Sequence, residues 1–221
     1  MDDHRLLGRD DLAAIEARIG AIESRTGAQV VVAALERSDR FHGLRWRAYA
    51  LASAVAAVAV TIADLTRPEW VTAHTAIVAA AIVVGAGLVA ALAATGIPAF
   101  ARLFLQRSRA HAAVNARARS LFVERECAAT PRRNAILLIA SRYERVAAVL
   151  ADRAYRGRID DADWQRVVDA TTSAMASGGV RGALVAGLDA LESLLVARGF
   201  AALPGDGNAL PDAPLVIEDA P

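Results

Sequence analysis

Hydrophobic and polar positions alternate along this chain in three distinct ways. In residues 10–27, Leu12, Ile15, Ile19 and Ile22 recur at spacings of three and four among charged residues. That spacing predicts an amphipathic helix, with Asp10 placed to cap its start and Gly27 to end it. Val114, Ala118, Leu121 and Phe122 repeat the helical pattern until Pro131 forbids continuation. It returns at Trp164, Val167, Val168, Thr171 and Met175, and again at Leu184, Leu188, Leu191 and Leu195. Gly178 and Gly179 separate these last two helices.

The second pattern is a short unbroken apolar run. Residues 28–35 read AQVVVAAL, and Ala135–Ala140 and Val146–Ala151 are similar. Runs of about six residues match the usual strand length, and a run apolar at every position suits a strand buried on both faces. The polar link Ser141–Arg145 joins the last two as a hairpin.

The third pattern is much longer. From Trp70 to Ala101 no Asp, Glu or Arg occurs, a stretch of 32 residues. About 20 apolar residues suffice for a helix to cross a bilayer core. Ala48–Ala63 adds 16 uncharged residues, and Asp64–Glu69, containing Pro68, forms a tight link between the two. The expectation is a transmembrane hairpin with helices at about 46–65 and 70–96. Arg45, Trp46, Arg47, Trp70, Arg102 and Arg107 are its expected membrane-interface residues. Arginine crowds both outer flanks, whereas the link holds only Arg67. The positive-inside rule then puts both termini of this multi-pass protein in the cytoplasm.

The resulting order is helix, strand, membrane hairpin, helix, strand, strand, helix, helix. Residues 1–44 and 103–204 are expected to fold together as one cytoplasmic domain. Residues 46–101 form the inserted hairpin, and 205–221, with three of the seven prolines, an extended tail. A sheet with helices packed against it follows, an α/β fold class interrupted by the hairpin.

Composition narrows the chemistry. Hydrophobic residues make up 55% of the chain, and the formal net charge is +1, which gives no general attraction to nucleic acid. The arginine-rich residues 107–120 lie beside the predicted membrane and lack aromatics for base stacking, so anionic lipid head groups suit them better. The one cysteine, Cys127, excludes an internal disulfide and reads as a packing residue. Asp152, Asp160, Asp161 and Asp163 form the densest acidic segment. Carboxylates at such density suit Ca²⁺ or Mg²⁺. Acids at a helix start also cap free N–H groups and favour the helix dipole. Ser141 has no histidine in its half of the chain to act as a base, so no catalytic residue is identified. The small residues at Gly85–Gly87 would suit a homo-oligomer within the membrane.

The segments IEARIGAIESRTGAQVVV, ARSLFVERECAATPRRNAILLIASRYERVAAVLAD, Trp164 and LPGDGNALPDAPLVIE, taken in this order, resemble the TPM domain. That family is named after a thylakoid lumen protein, a photosystem II-associated protein and a nematode receptor regulator. The likeness is greatest to its bacterial membrane-embedded branch, where a hydrophobic hairpin interrupts the domain. The resemblance implies an αβα sandwich around a small mixed sheet and either assembly of membrane complexes or, in other members, acid phosphatase activity or calcium binding. It also marks Asp152 as matching a family aspartate. Two positions depart from the family pattern: Gln29, where relatives often carry an acid, and Ala154, where they tend to have glycine. The expected function is a membrane-anchored, non-catalytic binding or assembly module for protein partners. A metal-dependent phosphatase or Ca-binding domain using the acidic segment is the alternative.

Overall fold

In a computed structural model, residues 6–38, 43–66, 73–97, 100, 107–203 and 209–218 are described. Two compact units emerge, one comprising Met1–Arg40 and Ser108–Pro221, the other Phe41–Arg107.

The first unit is built on a four-stranded mixed sheet. Helix α1 (Arg9–Thr26) leads into β1 (Gln29–Leu35). Its end is set by Gly27, whose φ of 67° is left-handed and whose N–H closes on the Glu23 carbonyl. Its start differs from the expectation for Asp10. The N-cap is Gly8, and the Asp11 carboxylate accepts the Gly8 N–H at 3.2 Å. Numbering the two apolar helices of the second unit α2 (Gly43–Thr66) and α3 (Ala73–Gly96), the first unit resumes with α4 (Arg107–Glu124). Then come β2 (Ala135–Ser141) and β3 (Val146–Ala151), joined as an antiparallel hairpin.

Helix α5 (Asp161–Ala197) is interrupted at Gly179, where φ 59° and ψ −155° leave the helical region. The two glycines therefore divide it into two helical arms, as the sequence predicts. Gly187 of the second arm lies against Thr171 of the first and Leu138 of β2. A Cβ at Gly187 would fall 2.9 Å from the leucine methyl and closer still to the threonine hydroxyl.

The tail goes beyond its expected extended conformation. Leu215–Ile217 form β4, which pairs in parallel with β1, giving the sheet order β3-β2-β1-β4. Pro211 and Pro214 have no N–H to donate, so an outer strand is the position open to such a segment. The Gln29 side-chain oxygen helps to hold it, accepting the N–H groups of Ala209 and Leu210 at 2.6 and 3.1 Å.

Each central strand is buried along its whole length. Val30, Val32 and Ala34 of β1, with Ile136, Leu138 and Ala140 of β2, share a core with Ile15, Ile19 and Ile22 of α1 and the leucine face of α5. The alternate residues, among them Val31, Leu35, Leu137 and Ile139, are equally buried and point to the opposite face. There α4 contributes its own buried stripe of Ala110, Val114, Ala118 and Leu121. This is the αβα sandwich around a small mixed sheet that the family resemblance implies.

In the second unit α2 and α3 pack on each other. Gly87 lets Tyr49 and Ser53 approach, and the Ser53 hydroxyl donates to the Val83 carbonyl at 3.2 Å. Arg45–Thr66 and His74–Gly96 are long and apolar enough to cross a membrane, and only 11% of each is buried. Arg45, Trp46 and Arg47 lie in the first turns of α2, with Trp46 edge-on to Tyr49. Arg107 starts α4 and is exposed. Trp70 and Arg102 lie outside the described residues.

Candidate binding cleft at the edge of the sheet

The four aspartates singled out by sequence occupy the turn after β3 and the start of α5, and each has its own environment. Asp152 is buried. Its carboxylate takes a two-pronged hydrogen bond from Arg133, at 2.7 and 3.1 Å, and a third from the Arg153 N–H at 2.7 Å. Asp160 is the N-cap of α5, accepting the Asp163 N–H at 2.8 Å. Asp163 is buried between the guanidinium groups of Arg166 and Arg198. Burial alone would raise its pKa, but the Asp160 N–H and the two arginines outweigh that and hold it below the usual carboxylate range. Among the described residues no three His, Cys, Asp or Glu side chains converge as metal ligands.

The backbone at Ala154 is not left-handed. It lies in a single 3₁₀ turn, Arg153–Tyr155, and the positive φ comes later, at Gly157. The turn is anchored by Tyr155, whose hydroxyl donates to the Asn134 carbonyl at 2.7 Å and whose ring meets Trp164 and Phe200.

Asp161 has a different setting. With Trp164, Gln165 and Val168 of α5, it lines a cavity of about 450 Å³ whose other wall is His111 and Asn115 of α4. The floor is Ala147, Val149, Leu150 and Ala151 of β3. His111 thus reaches the same place as Asp161 although 50 residues separate them in sequence, a juxtaposition that no local pattern announces.

The floor of this cleft is the outermost strand of the sheet among the described residues. β3 ends the strand order. The Gln29 N–H bonds the Asn134 carbonyl and the Asp152 N–H bonds the Ala135 carbonyl, which fixes the phase of the ladder. Even-numbered residues of β2 point their backbone groups toward β1, and odd-numbered ones toward β3. With Ile136 opposite Ala151, Val146, Ala148 and Leu150 bond to β2. Ala147, Val149 and Ala151 therefore turn their N–H and C=O groups away from β2; Ala147 is buried, whereas Val149 and Ala151 are partly exposed to the cleft.

The hairpin turn at the other end of β3 is closed by charge. Glu144 accepts the Ser141 hydroxyl and the Ser38 N–H, the latter at 2.9 Å. Ser141 is wholly buried, so it staples the turn rather than meeting a substrate. Cys127 is buried, and burial pushes its thiol pKa up, which removes the thiolate that reactivity needs.

Comparison with known proteins adds two findings. Residues 101–194 match the family described as the TPM domain. The fold is similar to that of the BA42 protein from the psychrophilic bacterium Bizionia argentinensis, solved by NMR. That likeness has a TM-score of 0.58 at 13% identity and covers 97% of this chain and 98% of that one. No curated protein matches.

Proposed function

We propose that this chain, which contains a TPM domain over residues 101–194, is a membrane-anchored, non-catalytic binding module that helps assemble membrane-associated protein partners. The observation that carries the reading is the pair of apolar helices between β1 and α4. Leu51, Val55, Val58 and Ile62 of α2 and Ile77, Leu88 and Leu92 of α3 are all more than half exposed. Two 24-residue helices with so much outward apolar surface suit hydrocarbon as their solvent. With arginine on both outer flanks, the domain and both termini lie in the cytoplasm of a bacterium, and the hairpin crosses its inner membrane.

The acidic segment supports a binding role over a chemical one. Asp152 and Asp163 are neutralised by arginines and Asp160 serves a helix end, which leaves Asp161 as the one of the four carboxylates that lines the cleft. The test is affinity purification of the full chain from its membrane beside an Asp152→Asn variant, with turnover of a phosphate ester measured on both. A stoichiometric protein partner retained by both, without turnover, is the expected result. Turnover that Asp152→Asn abolishes would replace this reading with the metal-dependent phosphatase.

A further inference from the structure

Open sheet edges are normally blunted. Charged residues, proline, a bulge or a covering element keep another strand from adding on. β3 has none of the first three: its sequence is VAAVLA, and its register with β2 runs without a bulge from Val146 to Ala151. Among the described residues the second half of its outer side is also uncovered: Ala147 is buried, but Val149 and Ala151 are partly exposed, and the 450 Å³ cleft opens over them. We infer that this cleft is a strand-addition site, and that its occupant is a short extended segment of a partner protein bearing an arginine or lysine.

The outward N–H and C=O groups specify the occupant's chemistry. A line of alternating donors and acceptors at strand spacing is met most completely by another peptide backbone. The two accessible outward residues, Val149 and Ala151, span three positions, so about 10 Å of extended chain would be engaged. The small side chain of Ala151 leaves room for the incoming residues, and Trp164 in the lining gives them an apolar contact.

Two other occupants fit less well. A second copy pairing β3 to β3 would bring its own α4 and α5 walls into the space already held by His111, Asn115 and Trp164, whereas a lone strand brings no walls. The chain's own tail is engaged elsewhere, because β4 sits on β1 at the far edge of the sheet. Charge selects further. Among the described residues of the lining Asp161 is the one acidic side chain and no arginine is present, so a cationic side chain on the strand is favoured over an anionic one.

This site deepens the binding-module reading and rests on it. The probe is the capped heptapeptide Thr-Val-Thr-Arg-Thr-Val-Thr, titrated into the isotope-labelled full chain in detergent micelles and followed by amide NMR. Its controls are the fully N-methylated peptide and the same peptide with Glu in place of Arg. Binding should slow amide exchange at Val149 and Ala151, and the N-methylated peptide should not bind. Asp161→Asn should weaken the Arg peptide roughly two- to fivefold, as for an exposed ion pair, and the Glu peptide should bind more weakly than the Arg peptide.

Val149→Pro is compatible with the fold because the N–H it removes faces outward, and it should lower affinity about tenfold or more. Equal binding of the N-methylated peptide, exchange protection confined to other residues, or no binding at millimolar peptide would each overturn the strand site. A native partner that co-purifies equally with wild type and Val149→Pro would overturn this site but keep the module reading. A chain that co-purifies with no partner at all would overturn the module reading itself.

Discussion

Glu23 shows how single residues in this fold are set by what lies far away in sequence. It lies in the last turn of α1, is 9% exposed, and accepts the Val30 N–H at 2.7 Å. Burial is the main cause that raises its pKa to about 7. The Val30 N–H opposes that rise, and the nearby Asp212 carboxylate of the tail adds to it. The folded state therefore holds a proton that the unfolded chain releases near pH 4.5. Stability from this group is full below that value and is lost as pH rises toward and through 7. The loss is on the order of 2 kcal/mol after allowance for solvent screening. Thermal unfolding from pH 4.5 to 8 should show this slope, and Glu23→Gln should flatten it; an unchanged slope in the variant would count against the account. The aspartates allow a second residue-level test. Millimolar Ca²⁺ or Mg²⁺ should leave the melting temperature of the wild type unmoved, where saturation at about 100 times Kd would add roughly 2.7 kcal/mol. A shift abolished by Asp152→Asn with Asp160→Asn would make the segment a metal site. The capping role of Asp160 was legible because a helix start is a local pattern. The arginines that neutralise Asp152 and Asp163 were not, since Arg133 and Arg198 lie 19 and 35 residues away.

At the scale of elements, run length and periodicity did most of the predicting. β1, β2 and β3 lie where six-residue apolar runs placed them, because a strand buried on both faces has no polar face to obscure it. The break in α5 was visible as two adjacent glycines. Gly187, by contrast, sits within a regular leucine pattern, and its role as the contact between the two arms appears only after folding. Gly187→Ala should destabilise the domain by about 1–3 kcal/mol through overpacking, read as a lower denaturation midpoint with an unchanged denaturant slope. Gly182→Ala serves as control, since a Cβ there meets only a backbone oxygen at an ordinary 3.6 Å. β4 was the element least legible in the sequence. Its three residues follow a proline-rich stretch, and their pairing depends on Gln29 and β1, nearly 180 residues upstream.

At the scale of the whole molecule, one chain carries two kinds of surface. The sheet domain buries its apolar residues, whereas the helical hairpin exposes them, and no single solvent suits both. The sequence made that contrast plain through the length of its uncharged runs. The cleft was hidden because it draws on α4, β3 and α5, each unremarkable alone. The reading of a membrane-anchored module makes the hairpin an anchor, so the most direct test is alkaline carbonate extraction of membranes containing the full chain. The protein should remain wholly in the membrane pellet and be released only by detergent. Release into the carbonate supernatant would mean that α2 and α3 do not cross the bilayer, and the anchored-module account would fail.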